Sequence, residues 1–320
     1  YRHFIPIIVV IAFLLVEGFY VIKNHLLKFL PAKHHYTYAA FWLLLFVPYS
    51  FIQFADTQNQ RAMHERWEWI GKDVGLTLKD AFFMKQPLVA VTAAGCIPYW
   101  SKMPALDMLG LNDYYLPRHR PKDIGKGLLG HELGNGKYVL SRRPDIIVFN
   151  VGSGPHFRSG NELQRMPEFH QLYKPITTMV SRHRLARIYF NVYSQKIGIQ
   201  QSRSKITVPG FLFSGNRTFA FLDKENKLVT LVRKGHPVSV SFNSKSPPNW
   251  AVAVQSSHPE KIRCELKQNN GLLSITLFTD STEPVYIDKV VLSKRFGQQT
   301  NLRAESPFRQ TDHRSRVPSR

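Results

Sequence analysis

Residues 95–113, with the sequence GCIPYWSKMPALDMLGLND, hold the densest set of side chains that could do chemistry. Two carboxylates, Asp107 and Asp113, stand six positions apart, and two large aromatic residues, Tyr99 and Trp100, precede them. Aromatic rings pack against the apolar side of a sugar, and carboxylates accept hydrogen bonds from its hydroxyl groups. This mix predicts a sugar-binding site. The two acids could also hold a divalent cation that bridges a phosphate, although no cofactor is otherwise predicted.

A structural interpretation of the same acids stays open. Asp107 could cap a short turn, and Asp113 could pair with Arg118 or Arg120. No residue of the chain is assigned a catalytic role.

A second candidate lies downstream at Gly130-His131-Glu132, where His131 could position a phosphate or transfer a proton. The motifs HExxH, GxxxxGK[ST], GxGxxG and GxSxG are absent, so the sequence does not support a zinc protease, a nucleotide-binding loop or a nucleophile elbow. Basic and aromatic residues interleave at 182–193, which fits an exposed strand better than a nucleic-acid platform. We therefore predict no nucleic-acid partner.

The elements that must position these residues show in the hydrophobic pattern. Residues 56–83 carry an apolar stripe at helical spacing, which predicts one helix capped by Asp56 or Thr57. Apolar runs at 88–94, 145–150 and 187–193 predict strands of a small α/β layer. The first candidate segment follows the first of these strands directly, where α/β folds place their ligand loops.

From about residue 205 the pattern changes to short alternating runs separated by turn residues. Eight such runs predict a jelly-roll-like β-sandwich, similar to carbohydrate-binding modules in its last strands. The predicted domains are a juxtamembrane helix with an α/β subdomain at 56–200 and a carbohydrate-binding-like sandwich at 201–296. The polar, basic residues 297–320 are predicted to be a disordered tail.

Two apolar stretches, residues 4–22 and 38–55, are long enough to cross a bilayer about 30 Å thick. We therefore predict a membrane α-helical hairpin at 1–55, followed by an α+β region. The loop at 23–37 has three lysines and no acid, which places it in the cytoplasm and the rest of the chain on the extracytoplasmic side. The net charge of +21 favours phosphate-bearing partners, and the spans make membrane lipid and lipid-linked sugars the best candidates.

The order of these features resembles the C-terminal region of bacterial GT-C-type polyprenyl-phosphate-sugar glycosyltransferases, including the mycobacterial terminal arabinofuranosyltransferases. The resemblance covers roughly residues 1–150. It rests on the last membrane helices, His64-Glu65-Arg66, Trp69-Ile70-Gly71, AGCIPY at 94–99, LDMLGLND at 106–113, Gly130-His131-Glu132 and RPDII at 143–147.

The resemblance implies an enzyme of the bacterial inner membrane that moves a sugar from a polyprenyl phosphate to a glycan or lipid acceptor. The catalytic acid of such enzymes lies in the first extracytoplasmic loop, which is not in this sequence. Because the chain begins with Tyr1, we expect it to be the C-terminal piece of a longer protein and to associate with upstream transmembrane segments. The alternatives are a non-catalytic, membrane-tethered carbohydrate-binding protein and a truncated remnant without activity. Whether Cys96 and Cys264 pair is left open.

Overall fold

The structure is a computed structural model that describes residues 5–26, 34–64, 66–128, 130–244 and 250–294. The chain divides into two compact units, residues 1–66 and 67–320. The predicted tail at 297–320 and the middle of the lysine-rich loop, residues 27–33, lie outside the described residues.

The first unit is helical. Its helices are α1 (Ile5–Leu26), α2 (His34–Ala55) and α3 (Thr57–His64). The structure does not confirm the two predicted spans, because no helix of the described residues has both the length and the hydropathy needed to cross a membrane. Asp56 caps α3, as its Oδ1 accepts hydrogen bonds from the backbone N–H groups of Gln58 and Asn59 at 3.0 and 2.9 Å.

The second unit begins with α4 (Trp67–Phe82). The prediction of a single helix over 56–83 is therefore wrong, because α3 and α4 are separate helices. The division has a physical reason in the sequence TQNQRAMH of α3, which holds too few apolar residues to bury a face. Met63, on α3, is 62% exposed, whereas Val74, Leu78 and Phe82, on α4, are buried in the core.

A small α/β layer follows, as predicted. β1 (Val89–Val91) pairs in parallel with β2 (Ala105–Asp107) on one side and with β3 (Ile146–Val148) on the other. Short helices connect and cover these strands: α5 (Cys96–Ser101), α6 (Gly136–Ser141), α7 (Phe157–Gln164) and α8 (Pro167–Leu172). The antiparallel hairpin of β4 (Tyr173–Ser181) and β5 (Arg184–Asn191) joins the layer through the pairing of β5 with β3.

The remaining strands either continue the same sheet or form a second, smaller one. They are β6 (Gln200–Gln201), β7 (Lys205–Pro209), β8 (Ala220–Leu222), β9 (Leu228–Val232), β10 (Val238–Asn243), β11 (Trp250–Ser256), β12 (Ile262–Asn269), β13 (Leu272–Thr279) and β14 (Val285–Lys294). Within the described ranges, eleven strands form one mixed sheet in the order β2-β1-β3-β5-β4-β8-β9-β14-β7-β6, with β11 also on β14. A second sheet has the order β10-β13-β12.

The two sheets share one hydrophobic core, because Val240 and Phe242 of the small sheet cluster with Val208 and Ile287 of the large one. The predicted α+β class with many strands is therefore confirmed. One of the eight predicted strand segments, FLFS at 211–214, is instead mostly a 3-10 turn, Gly210–Leu212. Here the chain passes so close to β14 that a Cβ on Gly210 would clash with the carbonyl oxygen of Ile287.

Candidate functional site

Asp107, at the end of β2, is buried and holds the loop that follows it. Its Oδ1 accepts a 2.8 Å hydrogen bond from the backbone N–H of Leu109, and its Oδ2 accepts a 2.7 Å bond from that of Asn112. The carboxylate thus stabilises the turn at 108–112, in the manner of an Asx turn. This arrangement matches the structural interpretation that the sequence left open.

Asp113 has a comparable role one turn later. Its Oδ1 accepts hydrogen bonds from the backbone N–H groups of Tyr115 and Leu116, both at 2.8 Å. Its Oδ2 accepts a 2.8 Å bond from the hydroxyl group of Tyr138 on α6. Burial, together with this bond, raises the pKa of Tyr138 above its ordinary value. The sugar-binding role of Asp107 and Asp113 stays a prediction, and in the structure their oxygens bond to the protein itself.

The predicted pairing of Asp113 with Arg118 or Arg120 is not what the described residues show. Arg118 lies over the ring of Tyr114, 3.5 Å from its centroid, and donates a hydrogen bond to the carbonyl oxygen of Tyr114. Arg120 donates to the carbonyl oxygen of Pro117. Among the described residues, no group of three or more His, Cys, Asp or Glu side chains is arranged to hold a metal ion.

Tyr99 and Trp100 lie on α5 with their rings edge to face, 5.2 Å between centroids. Each ring has a lysine above it: the Nζ of Lys102 is 4.1 Å from the Tyr99 centroid, and the Nζ of Lys72 is 4.6 Å from that of Trp100. These are cation–π distances. We call these four residues the α4–α5 face; it is partly exposed, with Tyr99 62% accessible.

α5 reaches this position because α4 has glycines where the two helices meet. A Cβ on Gly71 would clash with Sγ of Cys96, and a Cβ on Gly75 would lie 2.7 Å from the Cβ of Trp100. The two glycines are four positions apart and so lie on one side of α4. They allow the close approach that brings Lys72 over Trp100.

His131 lies in a cavity of about 410 Å³ beside α7. Its ring stacks on that of Phe157, with centroids 4.8 Å apart and planes 25° apart. The remaining lining is mostly polar or charged: Asp123, Lys126, Gly127, Leu128, Glu132, Arg158, Asn161, Glu162 and Arg165. We call this space the His131 cavity.

The three acids of the His131 cavity are all engaged within the protein. Asp123 forms a 2.6 Å ion pair with Arg158, whose guanidinium holds the pKa of that carboxyl below its usual value. Glu132 Oε1 accepts bonds from the N–H groups of Gly125 and Gly127, at 2.8 and 2.7 Å. Glu162 Oε2 accepts a 2.7 Å bond from the N–H of Gly136.

Three other polar side chains of the cavity, Lys126, Asn161 and Arg165, make no hydrogen bond or ion pair within the described ranges. Their donor groups are thus available to a ligand. Carboxylate oxygens have further lone pairs, so the three engaged acids can still accept a bond from a hydroxyl group. The cavity therefore offers donors, acceptors and ring surface together.

A single hydroxyl links this cavity to the turn after Asp107. The Oγ of Ser159, on α7, donates to the carbonyl oxygen of Met108 at 3.0 Å and accepts from the backbone N–H of Asn135 at 2.9 Å. The loops that carry Asp107 and His131 therefore meet at α7. The five predicted site residues therefore fall into three groups: Tyr99 and Trp100 on the α4–α5 face, Asp107 and Asp113 in the loop after β2, and His131 in its cavity.

Sequence reasoning missed α7 and its cavity residues Phe157, Arg158 and Asn161. This helix has eight residues, of which only Phe157 and Leu163 are large and apolar, so it carries no recognisable stripe. The one local signal is Pro155, which stands two positions before the first residue of the helix.

Residues 52–196 match the family model described as a domain of unknown function, DUF8728. No curated protein and no solved structure matches the chain. The matched range includes the α/β layer, the α4–α5 face, both acids and the His131 cavity. The matched range ends before β6, so it contains the candidate site but none of the strands β6–β14.

Proposed function

We propose that this chain is the C-terminal, extracytoplasmic portion of an integral membrane glycosyltransferase. It would act on lipid-linked sugars during assembly of a cell-envelope glycan or glycolipid at the bacterial inner membrane. Within this chain, the His131 cavity would bind a sugar of the donor or acceptor. The observation that carries the proposal is the combination, in one cavity, of the His131–Phe157 ring pair with side-chain donors and acceptors.

The chemistry of the cavity favours a sugar over a purely apolar ligand. Its volume of about 410 Å³ falls within the range of small-molecule sites, about 300 to 1,000 Å³. Ring surface can cover the C–H side of a pyranose or furanose, while Asn161 and Arg165 donate to its oxygens and Glu132 and Glu162 accept from its hydroxyls. Three acids and three full cations line the space, so a neutral ligand experiences balanced charge.

Support for membrane attachment comes from the surface of α1. Val9, Val10 and Ile11 are 63, 57 and 49% exposed, and the run from Phe13 to Val16 is 63 to 67% exposed. Successive helical residues point about 100° apart, so this apolar surface surrounds the helix rather than forming one stripe. Surface of this kind is stable in a lipid environment and costly in water. We therefore retain a membrane-inserted hairpin as part of the proposal.

The composition of the α4–α5 face also supports membrane attachment. Tryptophan and tyrosine are enriched at the level of lipid headgroups, and lysines close to a membrane are attracted to anionic lipid. The net charge of +21 adds a general attraction of the same sign.

The first test is saccharide binding by the full chain in lipid nanodiscs, measured on a glycan array. Asn161→Ala and Arg165→Met remove donors from the cavity, and Gln195→Ala and Arg203→Met are matched changes at exposed positions outside it. We expect the cavity variants to lose about tenfold in affinity for the bound saccharide, because each lost hydrogen bond to an uncharged or charged partner costs about 1 kcal/mol or more. The controls should change it by less than twofold. Equal losses in both pairs, or no binding by the full chain, would contradict the proposal.

A second test is sugar transfer from a radiolabelled polyprenyl-phosphate sugar, in membranes that contain the longest form of the protein encoded at the locus. Transfer that falls in parallel with binding in Asn161→Ala supports a role in catalysis. Saccharide binding without any transfer favours the second candidate function, a membrane-tethered carbohydrate-binding protein. That candidate is favoured by one observation: the oxygens of Asp107 and Asp113 bond to the backbone and side chains of the protein itself, which gives both acids a structural role.

A further inference from the structure

A second cavity, of about 370 Å³, opens where the large sheet is joined most weakly. β4 and β8 are parallel neighbours, but they pair only at Thr178 and Ala220. Beside this pair the space between the strands forms a cleft. Its lining comes from β4, β5 and the segment that leads into β8: Pro175, Ile176, Thr177, Arg187, Phe213, Ser214, Gly215, Thr218, Phe219 and Ala220.

Arg187 is the one charged residue of that lining, and no carboxylate is present in it. Arg187 stands opposite Thr177 in the β4–β5 pairing and is exposed. In the described part of the chain its guanidinium forms no salt bridge. This composition differs from that of the His131 cavity, where cations and acids are balanced. The cleft therefore has a net positive charge and prefers an anion.

The backbone of Arg187 is held in place by the loop after β3. Its backbone N–H donates a 2.7 Å hydrogen bond to the carbonyl oxygen of Gly152, in the loop directly after β3. β3 is a strand of the parallel layer, so this bond fixes β5 and Arg187 against that layer. Gly152 has a φ of 101°, and a Cβ there would clash with that of Ala186, so glycine lets this loop lie against β5.

Other groups can complete the coordination of an anion. The hydroxyl groups of Thr177 and Ser214 line the cleft and make no hydrogen bond among the described residues. Ser214 pairs with Ser239 across an isolated bridge, and the carbonyl oxygen of Ser239 accepts a 2.7 Å bond from the Nζ of Lys174. A second positive charge therefore lies behind the wall of the cleft.

We infer that this cleft binds the phosphate group of a small ligand, with Arg187 as its main contact. A guanidinium group presents a planar fork of N–H donors that fits two phosphate oxygens at once. Hydroxyl donors from Thr177 and Ser214 lie on other strands or loops, and a tetrahedral anion can use donors from several directions, whereas a planar carboxylate uses them less well. The inference rests on the cleft alone and does not require the glycosyltransferase proposal.

The test is calorimetric titration of the full chain in detergent micelles with glucose 1-phosphate, at constant ionic strength. We expect Arg187→Met to weaken binding by about tenfold or more, and Arg187→Lys, which keeps the charge but loses the fork, by several-fold. Arg182→Met is the matched control, because Arg182 is an exposed arginine in the turn of the same β4–β5 hairpin. It should change the affinity by less than about twofold.

Competition identifies the recognised group. Inorganic phosphate should displace glucose 1-phosphate, and free glucose and acetate should not. Equal losses in Arg182→Met and Arg187→Met would mean general attraction to a basic chain and would overturn the site. Displacement by glucose would overturn the phosphate assignment, as would equal displacement by acetate.

If Arg187→Met does not fold, Ser214→Ala still tests the cleft, since it removes only a hydroxyl without a hydrogen-bond partner. Unchanged affinity in both Ser214→Ala and Arg187→Lys would contradict the proposal.

Discussion

The hydroxyl group of Tyr138 donates a 2.8 Å hydrogen bond to Oδ2 of Asp113, twenty-five residues earlier in the chain. Because Oδ1 of the same carboxylate accepts from two backbone N–H groups, Asp113 joins α6 to the loop at 113–116. The ring of Tyr115 packs in the same place, with its centroid 4.3 Å from that of Tyr138 and 3.7 Å from that of His119. Asp113, which the sequence predicts to bind a sugar, is thus also the centre of a structural network.

This network predicts that Asp113→Ala lowers the free energy of unfolding by about 1 to 3 kcal/mol, because it leaves two backbone N–H groups and a tyrosine hydroxyl without their acceptor. Urea denaturation followed by circular dichroism measures the change. Asp80→Ala is the control, since Asp80 is an exposed aspartate on α4 that makes no hydrogen bond among the described residues, and it should change stability by less than about 0.5 kcal/mol. Equal stability of wild type and Asp113→Ala would contradict a structural role.

The close contact between α4 and α5 predicts that Gly75→Ala lowers the free energy of unfolding. The added methyl group would lie 2.7 Å from the Cβ of Trp100 and 3.0 Å from the carbonyl oxygen of Ile97, so α5 must shift. Overpacking of this kind costs about 1 to 3 kcal/mol, more than alanine gains in helix propensity. Thermal unfolding and Trp fluorescence should both report the change. Gly95→Ala is the matched control, since a Cβ there meets nothing within 4 Å; a loss as large as that of Gly75→Ala would show that helix packing is not the cause.

Lys174 predicts a specific dependence of stability on pH. Burial lowers its pKa in the folded protein to about 8, while the unfolded chain keeps the ordinary value of about 10.5. Between these values the unfolded state binds more protons than the folded state, so this residue makes the free energy of unfolding rise with pH from about 8 to about 10.5. Below about pH 8 the half-buried ammonium group is charged in both states, so its effect in lowering the free energy of unfolding is independent of pH.

The variant Lys174→Met isolates that effect, because other titrating groups cancel in its comparison with wild type. The carbonyl oxygen of Ser239 keeps the N–H of Ser214 as a donor when the lysine is removed. We expect the free energy of unfolding of the variant, minus that of wild type, to be larger at pH 7 than at pH 10. This difference should decrease as the pH rises above about 8. Urea denaturation at pH 7, 8.5 and 10 measures it, and a difference that is independent of pH would contradict the lowered pKa.

How far the sequence predicts this fold depends on the kind of signal each element carries. β1 and β3 were predicted because both are continuous apolar runs, as expected for strands buried on both faces. Seven of the short alternating segments became β8–β14 for a similar reason, since alternation records which face is buried. The pairing of β4 with β8 joins the strands β1–β5 to the later strands in one sheet, and it consists of Thr178 and Ala220. Neither local sequence pattern predicts this pairing.

The candidate site was less predictable, because its contacts join residues far apart in the chain. Asp107 and Asp113 were found by residue type, but whether their oxygens are free depends on the backbone N–H groups that fold towards them. The partner of His131 is Phe157, twenty-six positions later, on a helix without an apolar stripe. Neither spacing nor composition specifies such a contact, and the same holds for Arg187 and the loop after β3.

The two cysteines, whose pairing the sequence left open, are both free thiols in the structure. Burial raises the pKa of Cys96 and raises that of Cys264 to about 11. Since the thiolate is the nucleophile, a thiol with a pKa of about 11 should react with iodoacetamide at pH 8 roughly 200-fold more slowly than an ordinary one with a pKa of about 8.5. Mass spectrometry of the full chain without reductant should therefore show slow alkylation in the folded state and rapid addition of two groups in urea, with Cys264→Ser assigning the slower site. No addition in urea would reveal a disulfide, and rapid alkylation of Cys264 in the folded protein would contradict its burial on β12.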